Sequence, residues 1–173
     1  AMSRQGGDEA AILGVHLEGP FISRERLGAQ PDFVIDGNIP LMEKLTALAD
    51  IRVITCAPEA DPDGSMTRWL VANGIRVQLG HSACSYEVAA GGFEYGCRGV
   101  THMFNAMSPL HHRTPGLVGA ALAHADYAEL IPDLLHVHPG AIHAARRAIP
   151  HVYAVTDASP AAGMPDGEYI LGT

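Results

Sequence analysis

Cysteine is scarce in this chain. The 173 residues include three cysteines, Cys56, Cys84 and Cys97, and no two of them have the C-x-x-C spacing found in many zinc and redox sites. An odd number of widely spaced cysteines also cannot form the dense disulfide framework of a small secreted scaffold. The thiols are therefore expected to be reduced, which fits a cytoplasmic protein.

Charged residues and long apolar runs are also in short supply. Charged side chains make up 17% of the chain, below the roughly 25% that is usual, and the net charge is −8. This balance disfavours nucleic acid and anionic membranes as partners, although a few local cations can still bind the phosphate of a small substrate. No apolar run reaches the roughly 18 residues that a membrane span requires.

The first ten residues are small and polar. Residues 1–10 lack the basic and apolar regions of a signal peptide, and we predict a polar N-terminal segment of the kind that cloning adds. Residues 11–173 are predicted to form the folded domain, because they contain no internal repeat, low-complexity tract or linker.

Strand-like and helix-like segments alternate along this domain. Apolar or β-branched runs predict buried strands, whereas helical periodicity, helix caps and proline in a first turn predict helices. Strands are predicted at 11–17, 51–56, 75–79, 99–103, 128–131 and 151–155, helices at 39–50, 63–73, 85–95 and 139–149, and a long polar loop at 105–119.

This alternation indicates an α/β fold. Strands joined through helices form a parallel sheet with right-handed crossovers, here of about six strands. Periodicity alone leaves open a doubly wound sheet and part of a TIM-like (β/α)8 barrel. A full barrel usually needs about 250 residues, so the chain is too short for one.

Histidine is abundant, and several histidines follow predicted strands. The chain has ten histidines, of which His81, His102 and His136 lie at or after strand ends, as do Glu18 and Asp157. In parallel α/β folds the carboxyl ends of the strands meet at one rim, where ligands and catalytic groups lie. We therefore expect these five side chains to converge on one site.

Three of these residues have the chemistry of a catalytic metal site. Glu18 and two of the three histidines would form a three-ligand set of the kind that holds catalytic zinc, which keeps one position open for water. Asp157 at the same rim is suited to act as general base and acid. A structural interpretation is also open, in which the histidines are hydrogen-bonded structural groups and Asp157 only initiates a turn.

Six longer strings occur in order along the chain. They are HLEGPF (16–21), TCAPE (55–59), GHSACSYE (80–87), GVTHMFNAMSPLHHRTPG (99–116), DLLHVHPGAI (133–142) and VTDASPAAG (155–163). Together they closely resemble the N-acetylglucosamine-6-phosphate deacetylases of the amidohydrolase superfamily. The resemblance implies a (β/α)8 barrel with a small β-sandwich, of which this chain would hold roughly barrel strands three to eight and lack the sandwich.

The resemblance also implies a metal and a catalytic group. It places one divalent metal ion on Glu18, His81 and His102, with zinc favoured and iron, manganese or cobalt as alternatives. Asp157, in VTDAS, matches the catalytic acid and base of the family. The strand-one histidines that a second metal would need have no counterpart in this chain.

Substrate contacts are assigned by the same resemblance. Asn105 and Ala106 match the segment that contacts the sugar phosphate. Arg113 matches an arginine that grips the phosphate, in some members across the interface of a homodimer. His136 matches a substrate-binding histidine.

Two positions depart from the family pattern. Gln30 stands where many members have a histidine that polarises the acetyl carbonyl, and glutamine still donates a hydrogen bond but cannot become cationic. Leu134 replaces a common glycine, which would narrow the pocket.

The implied reaction is hydrolysis of the acetamide of N-acetylglucosamine 6-phosphate to glucosamine 6-phosphate and acetate, a step of amino-sugar catabolism. One alternative is another amidohydrolase, such as a dihydroorotase-like enzyme or a deacetylase of a different amino sugar. A second alternative is a catalytically inactive metal-binding fragment, because an open barrel exposes two sheet edges.

Overall fold

The structure is a computed structural model that describes residues 10–159 and 161–170. Apart from Ala10, the predicted polar segment at residues 1–10 lies outside the described residues. Within the described part of the chain, no helix is long and apolar enough to cross a membrane.

Six parallel strands form a single sheet whose spatial order is the order of the chain. A doubly wound sheet reverses its strand order at a switch point, and this sheet has no such reversal among the described strands, so it is a half-barrel. The strands are Val15–Glu18 (β1), Ile51–Cys56 (β2), Arg76–Leu79 (β3), Gly99–Val100 (β4), Tyr127–Leu130 (β5) and His151–Ala154 (β6).

One α-helix lies between each pair of successive strands. Polar caps set where several of them begin: Asn38 Oδ1 accepts a hydrogen bond from the Leu41 N–H at 2.9 Å, and Ser85 Oγ accepts one from the Val88 N–H at 3.4 Å. The helices are Ile39–Leu48 (α1), Ser65–Ala72 (α2), Tyr86–Glu94 (α3), Gly116–His124 (α4) and Pro139–Ala148 (α5), with short 3-10 turns at Arg24–Arg26 and Pro58–Ala60.

The two faces of the sheet differ in chemistry. Successive side chains of a strand point to opposite faces. One face supplies apolar residues to the buried core, namely Ile54, Val77, Val100 and Ala128. The residues that follow these on the other face are polar and also buried, namely Thr55, Gln78, Thr101 and Glu129.

The first predicted strand begins too early. Residues 11–14 are not part of β1, which starts at Val15. Ile12 and Leu13 are 54% and 81% exposed, and Gly14 has a φ of +149°, a conformation that glycine adopts more readily than other residues. The apolar run therefore continues beyond the strand, on the N-terminal side, as an exposed segment.

The predicted loop at 105–119 extends too far, because its last four residues belong to α4, which begins at Gly116. Residues 116–121 are all buried in this helix, so it has no polar face and lacks the amphipathic periodicity by which helices are recognised. The predicted strand at 99–103 also ends early, at Val100, because the backbone of His102 turns to a φ of +30°.

Candidate metal centre and pocket

Glu18, His81 and His102 meet at the carboxyl end of the sheet. Glu18 is the last residue of β1, and the two histidines lie two residues beyond the ends of β3 and β4. Glu18 Oε1 lies 2.7 Å from His81 Nε2 and 3.5 Å from His102 Nε2, and the two Nε2 atoms are 3.0 Å apart. The structure thus brings together the three residues predicted to hold a metal.

The protonation of His81 follows from its second contact. Its Nδ1 lies 2.7 Å from the main-chain carbonyl oxygen of Arg26, and a carbonyl oxygen only accepts, so Nδ1 carries the proton. In the neutral ring Nε2 then presents a lone pair to the Glu18 carboxylate and to His102. Such electron-rich atoms repel one another unless a proton or a cation lies between them.

One carboxylate oxygen and two imidazole nitrogens are a suitable donor set for a divalent transition metal. Metal-bound histidines usually donate their other ring N–H to a neighbouring acceptor, which fixes the ring. His81 makes such a contact with Arg26. The Nδ1 of His102 is buried without a hydrogen-bond partner among the described residues, so this ring is oriented through its contacts with Glu18 and His81.

Electrostatics couple the three side chains. Burial alone would raise the pKa of Glu18, but hydrogen bonds and positive charge from His102 and His81 outweigh burial and hold that pKa well below its usual range. Burial would likewise lower the pKa of His102, but the Glu18 carboxylate and, more weakly, Asp157 raise it. In the metal-free site the carboxylate is thus paired with a histidine that readily takes a proton.

Several residues of the site have backbone conformations that side chains disfavour. His81, His102, Ala106 and Asp157 have φ values of +46°, +30°, +51° and +48°, in a region that few residues other than glycine adopt. Such conformations cluster at functional sites, where the surrounding structure compensates for their energetic cost. At His81, His102 and Asp157 they turn the chain within three residues of the end of a strand.

A pocket of about 430 Å³ surrounds the triad. Gln30 lies at its wall and donates a hydrogen bond from Nε2 to Glu18 Oε1 at 3.1 Å. The exposed side chain of Asp157 lines the same pocket. The other residues predicted to contact substrate that line it are Asn105, Ala106 and His136.

Arg113 does not line this pocket within the chain. It is exposed and borders a separate cavity of about 360 Å³ between the loop before α4 and the start of α3. The same cavity is lined by Tyr86 and His111. The predicted phosphate contact of Arg113 therefore has no counterpart inside one copy of the described chain.

A buried carboxylate that the sequence analysis did not identify lies close to the triad. Glu129 Oε1 accepts hydrogen bonds from Gln78 Nε2 at 2.8 Å and from the Tyr153 hydroxyl at 2.9 Å. Its Oε2 accepts a long bond of 3.4 Å from the His102 main-chain N–H, and its main-chain carbonyl accepts from the Met103 N–H at 2.8 Å. A charged residue inside a strand buried on both faces was the available signal.

This arrangement predicts a loss of stability in a Glu129→Gln variant. The amide NH2 would face a donor group whichever way it points, which leaves at least one buried polar group unsatisfied. We expect the free energy of unfolding to fall by about 1–3 kcal/mol, as measured by chemical denaturation. Tyr153→Phe removes one donor and leaves the carboxylate intact, so its effect on stability should be smaller. If Glu129→Gln were as stable as the wild type, the Glu129 carboxylate would not stabilise the fold through these hydrogen bonds.

The chain was compared with protein-family models, with curated proteins and with solved structures. No protein-family model matches the chain. It is 42% identical over 172 residues to N-acetylglucosamine-6-phosphate deacetylase of Lysinibacillus sphaericus, covering 95% of this chain and 44% of the relative. It is 39% identical over 173 residues to N-acetylgalactosamine-6-phosphate deacetylase of Escherichia coli O157:H7, covering 97% of this chain and 46% of the relative.

A solved structure agrees with these relatives. It is a mutant of N-acetyl-D-glucosamine-6-phosphate deacetylase from Mycobacterium smegmatis in complex with N-acetyl-D-glucosamine-6-phosphate, and it matches with a TM-score of 0.85 and 32% identity over 92% of this chain and 43% of its own. The chain spans a little under half the length of the curated relatives described above. By sequence and by fold, it is a homologue of the N-acetylglucosamine-6-phosphate deacetylases over nearly its whole length.

Proposed function

We propose that this chain is the metal-binding part of a deacetylase that hydrolyses the acetamide of N-acetylglucosamine 6-phosphate to glucosamine 6-phosphate and acetate. The observation that carries the proposal is the convergence of Glu18, His81 and His102 in one pocket with the carboxylate of Asp157. The solved relative that holds N-acetyl-D-glucosamine-6-phosphate supports this choice of substrate.

Glu18, His81 and His102 would hold one divalent ion, with zinc favoured and iron, manganese or cobalt as alternatives. When bound, such an ion lowers the pKa of a water molecule and polarises a carbonyl group. Asp157 would accept the proton of the attacking water and return it to the departing amine nitrogen. The Gln30 amide, which now donates to Glu18, would donate to the acetyl oxygen as negative charge develops there.

The sugar phosphate would be held by residues around the mouth of the pocket. Asn105, Ala106 and His136 border the same space as the triad, so they would orient the amide toward Asp157. Because Arg113 lies at a separate cavity, it would reach the phosphate from a second copy. We therefore propose a homodimer, and the expected reduced thiols lead us to propose that it is cytoplasmic.

The remaining architecture is also a proposal. We assign β1–β6 to strands three to eight of a (β/α)8 barrel and residues 11–173 to one incomplete barrel domain. The other two barrel strands and a small β-sandwich would then correspond to the regions of the relatives that this chain does not span. The relatives' greater length, and the unpaired outer edges of β1 and β6 within the described sheet, support this assignment.

A second candidate is deacetylation of N-acetylgalactosamine 6-phosphate, which the similarity to the Escherichia coli relative favours. The test is a turnover screen of the metal-loaded chain with both acetylated sugars, each with and without the 6-phosphate. Size-exclusion mass and metal content are measured on the same sample. Metal binding without turnover of any of the four substrates would favour an inactive metal-binding fragment.

Arg113 makes the dimer testable. A charge-assisted hydrogen bond to phosphate contributes about 1.5–3 kcal/mol, so Arg113→Ala should weaken binding of the phosphorylated sugar about 10- to 150-fold. Binding of the unphosphorylated sugar should hardly change, and Arg147→Ala, at another exposed arginine, serves as the matched control. Equal losses for both sugars would argue against a phosphate contact.

A mixing experiment tests whether that contact crosses between copies. Arg113→Ala and Asp157→Asn chains, each weakly active alone, should regain turnover when mixed, because half of the mixed dimers' sites combine Asp157 of one copy with Arg113 of the other. Absence of any recovery in a sample that size exclusion shows to be dimeric would place Arg113 within its own copy's site.

A further inference from the structure

The loop that follows β5 contains a carboxylate–imidazole pair at the edge of the pocket. Asp133 Oδ2 lies 2.6 Å from His136 Nδ1, and Asp133 Oδ1 accepts hydrogen bonds from the main-chain N–H groups of Leu135 at 2.9 Å and His136 at 2.8 Å. One carboxylate thus makes three short contacts, two of them to His136. His136 is the only member of this pair that lines the pocket with Glu18 and Asp157.

Apolar packing anchors the ends of this loop, where Ile131 and Val137 are 3% and 2% exposed, but not its middle. Leu134 and Leu135 are 68% and 88% exposed, and Leu134 has a φ of +68°, an unfavourable conformation for a leucine. Between these two anchors, the hydrogen bonds of Asp133 hold the main chain at His136 and orient its ring. They are favourable enough to lower the pKa of Asp133 to about 2, through the His136 main-chain N–H first and then the His136 ring.

The pair also determines which ring nitrogen carries the proton. An ionised carboxylate only accepts, so Nδ1 of His136 donates to Asp133. In the neutral ring Nε2 then holds a lone pair. No group in residues 10–159 or 161–170 is hydrogen-bonded to this Nε2, which leaves it available to a ligand.

We propose that Asp133 is a positioning residue: it fixes His136 in the tautomer whose Nε2 accepts a hydrogen bond from a hydroxyl group of the sugar. This inference rests on the proposed function, in which His136 contacts the substrate. It adds that the contact is made to a hydroxyl that donates, so an analogue with that hydroxyl methylated would be discriminated against. A tautomer with a proton on Nε2 would present a donor to the same hydroxyl and lose this preference.

Asp133→Asn separates the ring contact from the loop contacts. The asparagine Oδ1 can still accept hydrogen bonds from Leu135 and His136, but its NH2 group faces His136 Nδ1 and only donates, so it cannot accept a hydrogen bond from Nδ1–H. The Asn variant should therefore move the ring proton to Nε2 and bind N-acetylglucosamine 6-phosphate about 2- to 12-fold more weakly, as expected for loss of one hydrogen bond. Asp133→Ala, which removes all three contacts, should bind at least as weakly as the Asn variant.

The measurement is the ¹⁵N spectrum of the histidine rings in the metal-loaded chain at about pH 8, above the usual histidine pKa, with sugar affinity measured on the same samples. The wild type should show a protonated Nδ1 and an unprotonated Nε2 at His136, and Asp133→Asn should show the reverse. A wild-type ring protonated at Nε2 overturns the proposal whether or not the variants fold. So does an Asn variant that keeps both the wild-type tautomer and the wild-type affinity.

The two proposals fail in different ways. If the wild-type chain binds metal but no acetylated sugar phosphate, the proposed function fails, whereas the ring spectrum still decides whether Asp133 fixes the tautomer. If the sugar binds and the Asn variant reverses the tautomer without loss of affinity, the proposed function stands and the positioning role of Asp133 toward the substrate is refuted.

Discussion

A His81→Gln variant is expected to bind divalent metal more than about 100-fold more weakly than the wild type. Even residues that only support metal ligands contribute about 10- to 100-fold to affinity, and His81 is placed to be a ligand itself. Its Nε2 lies 2.7 Å from Glu18 Oε1 and 3.0 Å from His102 Nε2, and its Nδ1 is already fixed by Arg26. Glutamine cannot make both contacts. Titration with Co²⁺, followed by visible absorption in competition with a chelator, measures the affinity.

His16→Gln is the matched control for this change. His16 is a histidine of β1 that lies in the polar layer below the triad, where Nε2 is 2.7 Å from Thr55 Oγ1 and Nδ1 is 3.6 Å from Glu129 Oε1. Metal affinity should stay within a few-fold of the wild type in this variant. Equal losses in the two variants would mean that general destabilisation, and not ligand removal, explains the result, and retained affinity in His81→Gln would remove His81 from the site.

The sequence predicted the strands best where local chemistry alone determines them. The β-branched run Ile51–Cys56 forms the predicted strand without any shift, because β-branched residues favour strands and the run is flanked by a helix end and a proline-containing turn. Helix α4 was missed for the opposite reason. Its first six residues are all buried, so only the surrounding tertiary structure shows that these apolar residues form a helix.

Around the candidate metal centre, some residues could likewise be predicted from the sequence, whereas others are seen only in the structure. The convergence of Glu18, His81 and His102 was predictable because the carboxyl ends of parallel strands share one rim, and the motif resemblance then singled out these three as the metal ligands. The Arg26 carbonyl that orients His81 comes from a 3-10 turn that is 55 residues away in sequence, and no local pattern indicates such a contact. Glu129 gave one sequence signal, a charge inside a buried strand, but its donors Gln78 and Tyr153 come from β3 and β6 and are seen only in the structure.

Asp157→Asn is expected to lower kcat of the metal-loaded protein by about 10²–10⁴-fold, the usual contribution of a general acid–base group. A carboxylate accepts a proton from the attacking water, whereas an amide does not. The substitution preserves size, and asparagine tolerates the φ of +48° at this position as well as aspartate does. Metal content and substrate affinity should therefore remain close to those of the wild type while turnover is lost.

The competing explanation is that Asp157 only shapes the turn that begins there. Asparagine serves turns as well as aspartate does, so a purely structural role predicts near-normal kcat in the Asn variant. Asp126→Asn provides the matched control, because Asp126 directly precedes β5 at the opposite end of the sheet and pairs with Arg98 at 2.8 Å. Its kcat should not change. Retained turnover in Asp157→Asn would remove this residue from the reaction, and loss of metal would make it a ligand, since its charge already contributes to the raised pKa of His102.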